Sequence, residues 1–182
     1  EAGRGPVIGP MVVVGVMIEE DRIDHLMEIG VRDSKELPRQ RREEIFNELM
    51  KLDLRFKYYI IPPAVIDYYV EKKKLNMLEL NYFCKIIEEL RPDKVFIDSF
   101  TRNTNKLKET IYSKLSYKPE VIAEIKADKK YPIVSAASII AKVIRDREIN
   151  KIKIETGVDF GSGYPSDKKT LDALKNNYEI IK

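Results

Sequence analysis

Apolar side chains recur along this chain in two rhythms, unbroken short runs suited to buried strands and a three-to-four spacing suited to helices. Met11 to Ile18 is a Val-rich run after the turn signal Gly9-Pro10, and predicts a strand near the centre of a sheet. From Arg39 to Leu52, Ile45, Leu49 and Leu52 fall at helical spacing, with Pro38 placed to sit in the first turn. Leu54 to Ile61 predicts a second strand, stopped by Pro62 and Pro63, and Ala64 to Lys73 a short helix. Asn76 and Glu79 have the spacing of a capping pair opening a longer helix, in which Leu80, Phe83, Ile87 and Leu90 recur at steps of three, four and three.

Two further strands each run into an aspartate. Val95-Phe96-Ile97 ends at Asp98, and Glu120 to Lys126 leads to Asp128, with a helix expected between them from Asn105 to Leu115. Pro132 to Ile154 is one long helical pattern, Gly157 to Pro165 is rich in turn residues, and Ser166 to Ile180 predicts a final helix with Leu171, Leu174, Tyr178 and Ile181 on one stripe. Strands first, then strands alternating with helices, predict an α/β layered fold with a mixed sheet. No internal repeat interrupts this order, and 182 residues with 43% hydrophobic side chains suit a single compact domain.

Composition narrows the chemistry more than it narrows the fold. One His and one Cys in the whole chain leave no material for His/Cys zinc sites, a Ser-His-Asp triad or a Cys-His pair. Cys84 has no partner for an internal disulfide and falls among apolar helical positions, so it is read as a small hydrophobe in a reducing, cytoplasmic compartment. No apolar run approaches the roughly 18 residues of a membrane span, and no signal peptide is expected. A net charge of +3, from 33 basic and 30 acidic residues, is too small to diagnose a polyanionic partner. Local clusters have to carry that argument.

The two strand-end acids lie where ligands gather in open α/β sheets, although each could equally cap the turn that follows it. Together with Glu1, beside a glycine-rich turn, they suggest a carboxylate cluster for a hard cation such as Mg2+, and two such ions about 3.5–4 Å apart can activate water and stabilise the leaving oxygen of a phosphodiester. Gly3-Arg4-Gly5 would let the backbone approach a ligand while the guanidinium meets a phosphate, or is an ordinary turn with a solvated arginine. Ser135, Ser138, Lys142 and Arg145 share one helical face, which reads as a phosphate track or as a solvated face with Lys142 paired to Asp146. Asp33-Ser34-Lys35 is a second polar cluster, and Tyr164, set between Gly163 and Pro165, either stacks on a sugar or base or anchors its loop.

In order along the chain, Glu1-Ala2-Gly3-Arg4-Gly5-Pro6 with Gly9-Pro10, Asp33-Ser34-Lys35-Glu36-Leu37, Asp98, Lys126-Ala127-Asp128, the stretch from Val134 to Lys142, Arg145-Asp146, and Gly161 to Asp167 resemble the type 2 ribonuclease H family, ribonuclease HII, in its archaeal branch. The resemblance implies an RNase H-like domain over residues 1–182, with a helical C-terminal segment from about residue 165. It implies two-metal-ion hydrolysis, with Mg2+ or Mn2+, of the RNA-containing strand of RNA–DNA hybrids and of DNA duplexes with embedded ribonucleotides, cut on the 5′ side of the ribonucleotide. Glu1, Asp98 and Asp128 would be the catalytic, metal-binding acids. Gly3, Arg4 and Gly5 would read the 2′-hydroxyl, Tyr164 would stack at the RNA-to-DNA junction, Lys35, Lys142 and Arg145 would hold phosphates, and Ser135 on the same track would bind substrate. A monomer working on a nucleic-acid duplex, away from membranes, is expected. The family pattern opens Asp-Glu-Ala-Gly-Arg-Gly, so a first strand and a fourth acid are expected upstream of Glu1, and the C-terminal segment is expected to be short. Two other readings stay open: a catalytically silent hybrid-binding module, and a related nuclease confined to longer hybrids.

Overall fold

The computed structural model describes residues 1–31 and 37–181, with side chains described through Asn176. Strand β1 (Met11–Met17) pairs antiparallel with β2 (Arg55–Ile61), Met11 opposite Ile61 and Met17 opposite Arg55. Strand β3 (Lys94–Asp98) pairs parallel with β4 (Glu120–Glu124), Lys94 opposite Glu120. The layered α/β fold is present, but in place of one mixed sheet the described strands form two two-stranded sheets of opposite kind, with a cleft that β1 and β3 both line. On its other edge β1 is bridged at Val12 by Ala2, whose N–H and C=O both pair with it. This bridge sets Glu1 beside the end of the cleft.

The described helices are α1 (Ile23–Ile29), α2 (Arg39–Leu49), α3 (Pro63–Glu71), α4 (Leu75–Leu90), α5 (Thr104–Lys114), the single turn α6 (Ala127–Lys130), α7 (Pro132–Thr156) and α8 (Lys168–Ile181). Helix α7 starts with Pro132 at its first position, where no N–H is needed, and stops at Gly157 in a left-handed conformation. Helix α4 stops the same way at Arg91, φ 54°. None of the described helices is long and apolar enough to cross a membrane.

The Val-rich run is buried on both faces. Val12 and Val14 pack with Ala136, Ile139, Ile140 and Val143 of α7, and with Ile45 and Leu49 of α2, while Met11 and Val13 pack with Leu78, Ile86 and Leu90 of α4. Period-two alternation sends successive side chains to opposite sides, so a strand between two helices needs apolar residues at every position. A second face of α4 serves the other ladder, with Leu80, Cys84 and Ile87 against Val95, Ile97, Val121 and Ala123. A fourth cluster, Ile8, Ile149, Phe160 and Ala173, ties the loop after α7 and helix α8 to the N-terminal segment.

Four local expectations are corrected. Helix α1 lacks a long apolar period and was not foreseen. Strand β4 ends at Glu124 rather than Lys126, because Lys126 adopts a left-handed conformation, φ 59°, which a strand cannot continue. Asn76 and Glu79 do not cap α4; the helix starts at Leu75, and both residues lie inside it. On α8 the buried positions are Thr170 and Ala173, whereas Leu171 is 43% exposed; the side chains of Tyr178 and Ile181 lie outside the described residues.

The close approach of α4 to β1 depends on Gly15, where a Cβ would sit 2.3 Å from Cγ2 of the buried, β-branched Ile86. Gly15→Ala should therefore destabilise the protein by about 1–3 kcal/mol through overpacking. Gly5→Ala, whose Cβ meets nothing within 4 Å, should be close to neutral. Denaturant midpoints of the two variants check the contrast.

Candidate active site

A cavity of about 730 Å³ opens between the two ladders and is lined by Glu1, Glu79, Asp98 and Asp128 together with Arg4, Phe100, Ser138 and Lys142. Asp98 is the last residue of β3, and its Oδ1 accepts a hydrogen bond from the Ala127 amide at 3.0 Å. That bond joins one expected acid to the turn carrying the other. Lys126 makes the left-handed step into α6, which places Asp128 only 3% exposed on the cavity wall, on a helical turn rather than at a strand end. Glu124, just before the step, accepts from Lys130 Nζ at 2.8 and 3.0 Å and from the Tyr131 hydroxyl at 2.8 Å. Hydrogen bonds from Lys130 and then Tyr131 hold its carboxyl below the ordinary range, so it stays charged and ties down the far end of the turn.

Glu79 was not foreseen as a site residue. It lies in the second turn of α4, 2% exposed, and its Oε2 accepts from Arg4 Nη1 at 2.5 Å, while Arg4 Nη2 donates to Asn76 Oδ1 and the guanidinium sits 5.4 Å from the Phe100 ring centre. The spacing read as a cap is instead the spacing that turns two side chains on one helical face toward a distant arginine. Burial first, then the negative charge of Glu1, pushes the Glu79 carboxyl up to about 7, and Arg4 offsets this only in part. Asp98 adds to the same repulsion. Glu1 and Asp98 therefore both act electrostatically on Glu79.

The expected substrate face of α7 divides. Ser138 and Lys142, one turn apart, line the cavity. Ser135 is 1% exposed, and its Oγ has no hydrogen-bond partner and does not line the cavity. Arg145, 3% exposed, donates to the backbone carbonyls of Pro10 and Ile8, so its guanidinium is turned inward rather than along an open phosphate track. Asp146 pairs with Arg42 at 2.8 Å. Tyr164 lies under Arg145, 4.9 Å from guanidinium carbon to ring centre, outside the cavity lining. Gly3 is buried with φ 94°, and Gly5 is exposed. The Asp33-Ser34-Lys35 cluster lies outside the described residues.

Among the described residues no three acidic, His or Cys side chains converge as a closed metal cage would require. The donor chemistry nevertheless fits a hard divalent cation: four carboxylates lining one cavity, with Glu79 raised partly by its acidic neighbours, form a site short of positive charge. Such a cation is best held by a few carboxylates with its remaining positions left to water or phosphate oxygens.

Acids lining one cavity with a hydroxyl and a lysine, within an α/β layered fold, fit the class of RNase H-like nucleases. The family model for ribonuclease HII matches residues 1–180. A ribonuclease HII of Pyrococcus abyssi is 49% identical over 180 residues, covering 98% of this chain and 79% of the relative. Among solved structures, that of the PCNA:RNase HII complex from Archaeoglobus fulgidus superposes with a TM-score of 0.89 at 41% identity, covering 98% of this chain and 84% of that one. Ribonuclease H2 from Pyrococcus horikoshii OT3 gives the same TM-score at 44% identity, with the same coverage. The chain belongs to the ribonuclease HII family, metal-dependent endoribonucleases that act on RNA–DNA hybrids and on DNA containing ribonucleotides.

Against an ordinary value of 4.5, a folded value of about 7 means that native Glu79 keeps a proton which the unfolded chain has already released. Its contribution to stability is full below about pH 4.5 and is lost as pH rises through about 7. With divalent metal removed, the denaturant midpoint should fall between about pH 5 and about pH 8, and Glu79→Gln should flatten that fall. Equal slopes in the two proteins would remove Glu79 as the source.

Proposed function

We propose that this chain cuts on the 5′ side of a ribonucleotide, with Glu1, Asp98 and Asp128 holding Mg2+ or Mn2+ at the scissile phosphate. The observation that carries this reading is that these three acids line one cavity together with Ser138 and Lys142. Water supplies the new oxygen on phosphorus, the bond from phosphorus to the preceding 3′ oxygen breaks, and the products end in a 3′-hydroxyl and a 5′-phosphate. The cation, when bound, supplies Lewis acidity at that phosphate.

The chain's own residues prepare the reaction. The Ala127 amide orients the Asp98 carboxylate, and the turn pinned by Glu124 and Lys130 keeps Asp128 facing the cavity. Arg4, held by Glu79 and Asn76, presents the backbone of Gly3 to Gly5 rather than its own guanidinium to the substrate. A backbone donor or acceptor there suits recognition of a 2′-hydroxyl, the group that separates RNA from DNA within one strand. Lys142 neutralises a phosphate and Tyr164 stacks beside the junction, with Lys35 as a further phosphate contact. Residues 1–182 act as one catalytic unit, a reading supported by α4, which packs on both ladders.

The test uses a DNA duplex with a single embedded ribonucleotide and the full-length protein. Nicking beside the ribonucleotide in Mg2+ or Mn2+ is expected, with Asp98→Asn slower by about 100-fold or more. Full activity in that variant would sink the assignment. In a binding titration, Lys142→Ala should reduce the slope of log affinity against log salt by about 1, and an unchanged slope would remove Lys142 from the phosphate contacts.

A further inference from the structure

Arg145 is a charged side chain buried without a carboxylate among its three hydrogen-bond acceptors. Its Nε donates to Pro10 O at 3.1 Å, Nη2 to Ile8 O at 3.1 Å and Nη1 to Ser162 O at 3.5 Å, and the plane lies over Tyr164. Burying a guanidinium on neutral carbonyls is costly compared with an apolar side chain of the same volume, so core stability alone is a poor reason for it. What it achieves is a join. The carbonyls at 8 and 10 follow the glycine-rich N-terminal segment, and Ser162 and Tyr164 belong to the loop after α7. The same two segments also meet directly, as Val7 and Ile8 amides donate to Gly163 O at 2.8 and 3.2 Å.

Glycines on both sides make room for this fork. A Cβ on Gly3 would lie 2.7 Å from Arg145 Nε, and one on Gly163 would lie 3.4 Å from Nη2 and 2.7 Å from Ile8 O. Both glycines also have positive φ, 94° and 81°. The absence of side chains at these places is therefore matched to one planar, rigid donor set, which a flexible ammonium cannot reproduce.

We infer that Arg145 is a positioning residue for ribonucleotide discrimination, fixing the backbone of Gly3 to Gly5 relative to the Tyr164 ring without touching the substrate. The inference rests on the proposed function, in which those two elements read the 2′-hydroxyl and the adjoining junction. A single embedded ribonucleotide offers one such contact, whereas a continuous hybrid offers many registers. Loss of the join therefore falls hardest on the single-ribonucleotide substrate.

The experiment measures kcat/KM on a duplex with one ribonucleotide and on a continuous hybrid, for the full-length protein, its Arg145→Lys variant and, as a core control, Leu49→Ala. In Arg145→Lys the ratio of the first to the second should drop by about tenfold, less than the roughly 100-fold that a full 1 Å misplacement can cost. Leu49→Ala lowers the melting temperature and leaves the ratio unchanged. A folded Arg145→Lys protein with the parental ratio overturns the positioning role while leaving the nuclease reading intact; a parental protein that cuts neither substrate overturns both. If Arg145→Lys does not fold, Gly163→Ala strains the same join from the loop side, and an unchanged ratio there overturns the inference.

Discussion

Met11 to Val14 lose contact with water on both faces, Val12 and Val14 against α7 and Met11 and Val13 against α4, and the placement of the site follows from that double burial. A strand held between two helices has no freedom to slip, because a shift of one residue would exchange its two packed faces. The Ala2 bridge hangs from this strand and sets Glu1 at the cavity. From the same strand α4 extends to the parallel ladder, bringing Asp98 and the turn of Asp128 to the same cavity. The acids come from three distant parts of the chain, so only a fixed arrangement of the two ladders can assemble them.

Electrostatic cost is concentrated where that assembly occurs. Glu79 is buried beside Glu1 and Asp98, and its carboxyl is raised to about 7 even with Arg4 at 2.5 Å. A site that only stabilised the fold would gain by replacing these groups with apolar ones, since paired buried charges seldom repay their desolvation. Crowded carboxylates make physical sense where a divalent cation supplies the missing positive charge, which accords with a metal-dependent family.

The strands and long helices were legible in the sequence because their signals are local. The Val-rich run, the apolar steps of α4 and the Pro132 start of α7 each need only near neighbours to be read. The candidate acids Asp98 and Asp128 were legible for the same reason, although the left-handed Lys126 moved Asp128 from a strand end to a helical turn. What escaped depends on partners far along the chain. Asn76 and Glu79 have the spacing of a cap, and nothing nearby announces that Arg4, more than 70 residues away, claims both. Helical spacing put Arg145 with Ser138 and Lys142, but the carbonyls it binds lie some 135 residues upstream. Helix α1 was missed because its seven residues bury only Leu26.

The cations near the site show why the small net charge carried so little information. Arg4 is held by an acid and an amide, Arg145 is buried on backbone carbonyls, and Lys142 lines the cavity, so three positive charges within one region have three different environments. Two of them have their donors directed at the protein itself. Counting them as one basic patch would overstate the attraction for a phosphate backbone and miss what the arginines provide, which is geometry. Discrimination of a single 2′-hydroxyl demands that kind of rigidity more than it demands charge, because DNA and RNA backbones carry the same phosphates.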